Sequence, residues 1–145
     1  MAELKLSELV KQAVNTALAR GKPISVAYVD AGNRPQISFR GSVQAYSDTQ
    51  LAIWVRNPAG GMLKAIESNP YVSLLYADLS PESKAFVTFK GRGRVDASDA
   101  ARRAIYDNSI ELERNLDKDR KGVALIIDLD SVSGLFGGQM FLLAA

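Results

Sequence analysis

The stretch Leu51–Asp78, LAIWVRNPAGGMLKAIESNPYVSLLYAD, constrains the fold more than any other part of the chain. Leu51–Val55 is short, apolar and rich in β-branched and aromatic residues, the composition of a buried strand. Pro58 cannot donate to a ladder, so the strand ends with Arg56 and Asn57. Gly60 and Gly61 then permit a tight turn or a close backbone approach. Met62, Leu63 and Ile66 set an apolar stripe on a helix of about two turns. Asn69-Pro70 stops it, because the residue before a proline is pushed out of the helical region. Tyr71–Tyr76 returns to strand. A cation at a strand end, beside glycines that open a helix, is a candidate anion site, since the first N–H groups of a helix have no partner within it.

The flanking segments extend this unit into an antiparallel meander. Ile24–Val29 and a strand from Pro35 through Ile37 and Phe39 towards Val43 are joined by Asp30-Ala31-Gly32-Asn33, residues that tolerate positive φ. Ala85–Val95 is a long strand with Phe86, Thr88, Lys90, Arg92 and Arg94 on one face. Val87, Phe89, Gly91, Gly93 and Val95 take the other, and the two glycines predict a bulge or bend. Helices are expected from a Ser7 N-cap to Arg20, and from a Ser98 N-cap to about Leu116 with Ala101, Ile105, Leu112 and Leu116 inward. Val123–Leu129 reads as a central strand, Ser133–Gln139 as a glycine-rich loop and Met140–Leu143 as a last strand. The sum is one mainly β (α+β) domain over residues 1–145, an antiparallel six- to seven-stranded barrel with flanking helices, which the resemblance given below makes a split barrel.

Composition narrows the chemistry. The chain has neither cysteine nor histidine, which excludes thiolate and imidazole metal sites, thiol nucleophiles and Ser-His-Asp catalysis. Eighteen cations interleave with sixteen anions, a balance that argues against nucleic acid as a partner. No run of eighteen apolar residues suggests a membrane span. The start MAELKLSEL lacks a signal-peptide core, so the expected location is cytoplasmic. Any redox chemistry must then come from a cofactor, with the protein supplying position and electrostatics.

The run IESNPYVSLLY (Ile66–Tyr76), with the Val-Asp-x-x-Gly-x-Pro hairpin at Val29–Pro35, resembles the pyridoxamine 5′-phosphate oxidase-like FMN-binding split barrels. The likeness runs from about Ile24 to Val95. It implies a homodimer with a flavin cleft between chains and a small-molecule substrate. It also implies site residues. Arg40, followed by Gly41 and Ser42, falls on the family's flavin-binding arginine, whereas the lysine that ends that motif is replaced by Ala45. Trp54, Val55, Arg56 and Asn57 lie where the family's strand runs along the flavin. Gly60, Gly61 and Met62 replace a Ser-x-Lys phosphate turn, with Lys64 half a turn further on. Losing that charge-assisted bond, about 1.5–3 kcal/mol, is expected to weaken FMN affinity some ten- to a hundredfold.

For each residue a plainer role stands beside the functional one: Arg40 as a solvent-facing strand cation, Trp54 as core, Arg56 as an exposed side chain. Lys90, Arg92 and Arg94 form either a solvated face or a reach towards the partner's cofactor. The resemblance implies an FMN-dependent oxidoreductase. Two alternatives remain at this stage. One is a non-catalytic flavin, deazaflavin or tetrapyrrole binder. The other is a cofactor-independent enzyme using Arg40, Arg56, Tyr46 and Tyr76.

Overall fold

Alternation along each segment places the strands, and one long strand organises them. A computed structural model of the chain describes residues 2–145. The order is β1 (Ala2–Glu3), α1 (Glu8–Thr16), β2 (Ile24–Val29), β3 (Pro35–Arg40), β4 (Gln44–Ser47), β5 (Gln50–Val55) and α2 (Gly61–Ser68). Then follow β6 (Tyr71–Asp78), β7 (Ala85–Asp96), α3 (Asp99–Asn108), α4 (Glu111–Asn115), β8 (Val123–Phe136) and β9 (Gln139–Ala144). Hydrogen bonding runs continuously through β4-β5-β8-β7-β6-β2-β3. β3 and β4 are neighbours in sequence yet do not pair, so the barrel is split between them and residues 41–43 cross the gap. The early half of β8 pairs with β5 and its later half with β9, while β7 lies along its other side.

Both faces of β5 are covered. Leu51, Ile53 and Val55 point into the barrel, where α1 closes one region with Val10 and Val14 and α2 contributes Met62, Leu63 and Ile66. Ala52 and Trp54 point the other way, with Ala124 and Ile126 of β8, into a second cluster covered by Ala101, Ile105 and Tyr106 of α3. This double burial is why β5 and the start of β8 read as unbroken apolar runs.

Local chemistry explains the element ends. Ser7 Oγ accepts from Val10 N and Ser98 Oγ from Ala101 N, each at 3.2 Å. Asp30 accepts from Gly32 N and Arg34 N, and Asn33 takes a left-handed φ of 59° in that turn. The pairing of β7 with β8 slips between Lys90 and Gly91, which is the bulge the glycines predict.

Several boundaries differ from expectation. α1 stops at Thr16, four residues before Arg20, and the chain turns through residues 17–21 to a left-handed Gly21. The expected loop at Ser133–Gln139 is mostly strand: β8 continues to Phe136 and turns on Gly137 and Gly138, both at positive φ as a two-residue hairpin requires. β1 adds to β9 in parallel, a pairing without any local sequence signature. The predicted helix to Leu116 breaks in two at Ser109 and Ile110, which are extended. Buried Gln44 explains the break: its Nε2 donates to Ile105 O at 3.0 Å and to Ser109 Oγ at 3.3 Å, while Ser109 Oγ donates to Ile105 O. Beyond the break, Leu112 and Leu116 are exposed rather than inward. Val95 is also exposed, against its predicted inward setting. Among the described residues no helix is long and apolar enough to cross a membrane.

Candidate functional site

The split between β3 and β4 gathers the first group of predicted site residues. Arg40 ends β3, Gly41 and Ser42 cross the gap, and β5 brings Trp54 and Val55 alongside with Arg56 just beyond. Ser42 is buried. Its Oγ accepts from Trp54 N at 3.0 Å and donates to Trp54 O at 2.9 Å, tying the crossing segment to β5 one step past the Gln44–Ala52 pair. That hydroxyl is committed to the backbone, not to a ligand.

Gly41 faces α4 and the turn after α1. A Cβ there would stand 2.8 Å from Glu113 Cδ and 2.8 Å from Leu18 Cδ2, so a side chain would collide with both. The Glu113 side chain is only 12% exposed, and its Oε2 lies 3.8 Å from Arg56 Nε. Arg40 Nε is buried without a hydrogen-bond partner among the described residues, as is Gln44 Oε1. Arg40, Gly41, Ser42, Gln44 and Ser109 line one narrow cavity at the split. A buried donor without an acceptor is costly and calls for an explanation.

The second group lies along the following turn. Asn57 shapes it: Oδ1 accepts from Ala59 N at 3.1 Å and the carbonyl accepts from Gly60 N at 3.0 Å. Gly60 caps α2 without a side-chain bond, and the nearest atom to a Cβ on Gly61 is the Tyr28 hydroxyl, 3.9 Å away. Met62 is buried in the barrel core, whereas Lys64 is exposed and forms no ion pair or hydrogen bond among the described residues. Val55 faces the barrel core. The Trp54 ring lies beneath α3, edge-on to Tyr106 at 5.2 Å, with the Arg102 guanidinium over it at 5.0 Å. Its Nε1 donates to Asp117 Oδ2 at 2.9 Å. Burial pushes the Asp117 carboxyl up, but bonds from Lys121 N, Trp54 Nε1 and Gly122 N outweigh it and hold the group below the usual carboxylate range.

The cations of β7 are largely paired within the chain. Arg94 bonds Asp128 at 2.7 Å, which holds the Asp128 carboxyl below its usual range, and Arg92 bonds Asp130 at 3.1 Å.

No protein-family model and no curated protein matches the sequence. Solved structures do match in fold. HupZ of Group A Streptococcus is 20% identical with a TM-score of 0.68, over 94% of this chain and 98% of that one. A Clostridium acetobutylicum protein related to general stress protein 26, of the pyridoxinephosphate oxidase family, is 12% identical with a TM-score of 0.66, over 96% of each chain. An FAD-binding protein of Mesorhizobium loti is 20% identical with a TM-score of 0.60, over 90% of this chain and 94% of that one. The chain has the split-barrel fold of the pyridoxamine 5′-phosphate oxidase-like proteins.

Within this split barrel the donor set at the gap suits an oxyanion. Arg40 brings an unpartnered buried N–H, Arg56 adds a second guanidinium, and a carboxylate already stands between Gly41 and Arg56. Arg40 and Arg56 are donors of the kind a phosphate takes, and Glu113 is a like charge that such a group would meet beside Arg56. Glu113 itself escaped the sequence reading, because only the break at Ser109 turns α4 back over the gap. The setting of β3 was missed as well. Ile24, Val26 and Tyr28 of β2 face the core, and their partners Arg40, Ser38 and Gln36 share that side, so Ile37 and Phe39 face outward, 73% and 69% exposed. The alternating register of β2 against β3 was the available signal.

Proposed function

We propose that this split barrel binds a flavin, with the phosphate of FMN held by Arg40 and Arg56 at the gap, and acts as an oxidoreductase on a small molecule. The observation that carries the reading is the buried, unpartnered Nε of Arg40 beside Gly41 and the Arg56–Glu113 pair. Arg40 is positioned by its pairing with Ile24, and Arg56 by the end of β5. Both guanidiniums offer charge-assisted donors to an oxyanion. Glu113 fills the space that Gly41 leaves by lacking a Cβ, and the Ser42–Trp54 bonds keep that backbone in place. Bound flavin would supply the reversible uptake of electrons that no side chain here provides. The neighbours named for the oxidase family and for FAD binding support a flavin without specifying FMN.

The reading includes a second copy of the chain. Across the outer sheet face Phe39, Ser25, Leu75, Thr88, Ser133 and Leu142 stand in one cross-strand row. Phe86, Leu135 and Met140 form another. Phe39, Leu75, Phe86, Met140 and Leu142 are exposed on this face, with Ser25, Thr88 and Ser133 between them, and such a surface fits a protein interface.

Titration with FMN, followed by quenching of flavin fluorescence, tests the reading. Arg40→Gln and Arg56→Gln are each expected to weaken binding about tenfold or more, the worth of a charge-assisted bond. Riboflavin, which lacks the phosphate, should be insensitive to both. Absence of FMN binding by the unaltered protein would overturn the proposal. Bleaching of bound flavin by reduced nicotinamide under anaerobic conditions tests the oxidoreductase part.

A further inference from the structure

α4 is joined to the molecule lightly. None of its residues is buried, it begins at Ile110 without a side-chain cap, and Leu112 and Leu116 project into solvent. Ser109 and Ile110 are extended and form a two-residue elbow between α3 and α4. Tyr106 fastens the far side, its single O–H proton shared between Arg114 O and Asp117 O, both at 3.1 Å, and Arg114 donates back to Asp107 O and Ser109 O. From this exposed helix one charged side chain turns inward. Glu113 reaches the space that Gly41 leaves by having no Cβ, and is largely covered there.

A covered carboxylate is stable only when well paired. Glu113 is poorly paired: Arg56 Nε is 3.8 Å away, and no hydrogen bond reaches its carboxylate among the described residues. Meanwhile Arg40 Nε has no acceptor among the described residues. Glu113 thus stands at the gap beside Gly41 with only a loose pairing to Arg56, and the neighbouring Arg40 keeps an unmet donor among the described residues. A phosphate has more acceptor oxygens and more charge, and could satisfy donors that Glu113 leaves open.

We infer that Glu113 is an internal stand-in for the anionic group of the ligand, one that an entering phosphate must displace by moving α4 about the Ser109–Ile110 elbow. This rests on the flavin-phosphate reading and adds a residue to it. Glu113 lowers affinity for phosphorylated ligands through like-charge repulsion, and α4 couples occupancy of the gap to exposure of its own segment.

The experiment is a parallel titration of the unaltered protein and Glu113→Gln with FMN and with riboflavin, with melting temperatures recorded for both proteins. Glu113→Gln is expected to bind FMN about tenfold more tightly, the scale of one close like-charge contact removed, and riboflavin no differently. Amide exchange across residues 109–116 of the unaltered protein should rise when FMN is saturating, a readout that needs no variant. Glu113→Asp, which withdraws the carboxylate by one methylene, replaces the glutamine variant should that one fail to fold, with tightening again expected. Equal or weaker FMN binding by the variant, with no change in exchange, overturns the inference and leaves the flavin reading standing. Failure of both proteins to bind FMN removes the flavin reading and this inference with it.

Discussion

Ser42 behaves as a piece of the sheet. With its hydroxyl both accepting from and donating to the Trp54 backbone, it supplies the two bonds a strand partner would make at the point where β4 has ended. Ser42→Ala leaves a buried N–H and C=O unpaired, so we expect a loss of about 1–3 kcal/mol in urea-unfolding stability with the fold retained. Asp117 carries a different prediction. It accepts from Trp54 Nε1, Gly122 N and Lys121 N, and its carboxyl sits below the usual range when the chain is folded. Its contribution is therefore complete above the unfolded carboxylate value of about 3.9 and disappears as pH falls through the lower folded value. The chain has one tryptophan, so the fluorescence of Trp54 reports this directly. An acid-side change in Trp54 emission is expected below about pH 4, and Asp117→Asn should remove it.

Among the elements, the α3–α4 break decides the character of the gap. Had the helix continued to Leu116, its charged residues would have followed α3 along the barrel side. The Gln44 amide instead engages Ile105 O and Ser109 Oγ, the chain turns, and Glu113 arrives at Gly41. β3 is the second element with consequences. As an edge strand paired only with β2, it presents Ile37 and Phe39 outward, which an isolated edge strand exposes at the risk of uncontrolled pairing. Under the proposed dimer, a second copy would cover those side chains.

For the molecule as a whole, the outer face makes the dimer testable. Phe39 stands at the end of the row and Leu75 within it, each paired with Ser25, so a charge at either falls on the outer face. Neither contributes to the barrel core, and Phe39→Glu or Leu75→Glu should keep the fold. Light scattering coupled to size-exclusion chromatography is expected to give a dimer for the unaltered chain and a monomer for each variant. A monomeric unaltered protein would remove the second copy from the proposed function. The two ends of the proposal are linked in space, because Phe39 and Arg40 are consecutive on β3 and point to opposite sides of it.

What the sequence determined by itself was local. Ser7 and Ser98 as caps, the Asp30–Asn33 turn, the Asn69-Pro70 stop, the two faces of β7 and the bulge at its glycines depend on residues close along the chain, and each follows from side-chain volume, backbone freedom and short-range hydrogen bonding. Those signals, with the family resemblance, were enough for a split barrel, whereas the expected pairing of the Arg40 strand with the Trp54 strand gave way to the split between β3 and β4. Tertiary structure decided the rest. Whether Trp54 faces a cleft or a core depended on α3 packing over β5, and whether Ser42 is free depended on the distance to Trp54. The meeting of Glu113 with Gly41 and Arg56 joins segments far apart in the chain. Such contacts depend on the packing of the split barrel and on the break between α3 and α4, so no local pattern encodes them.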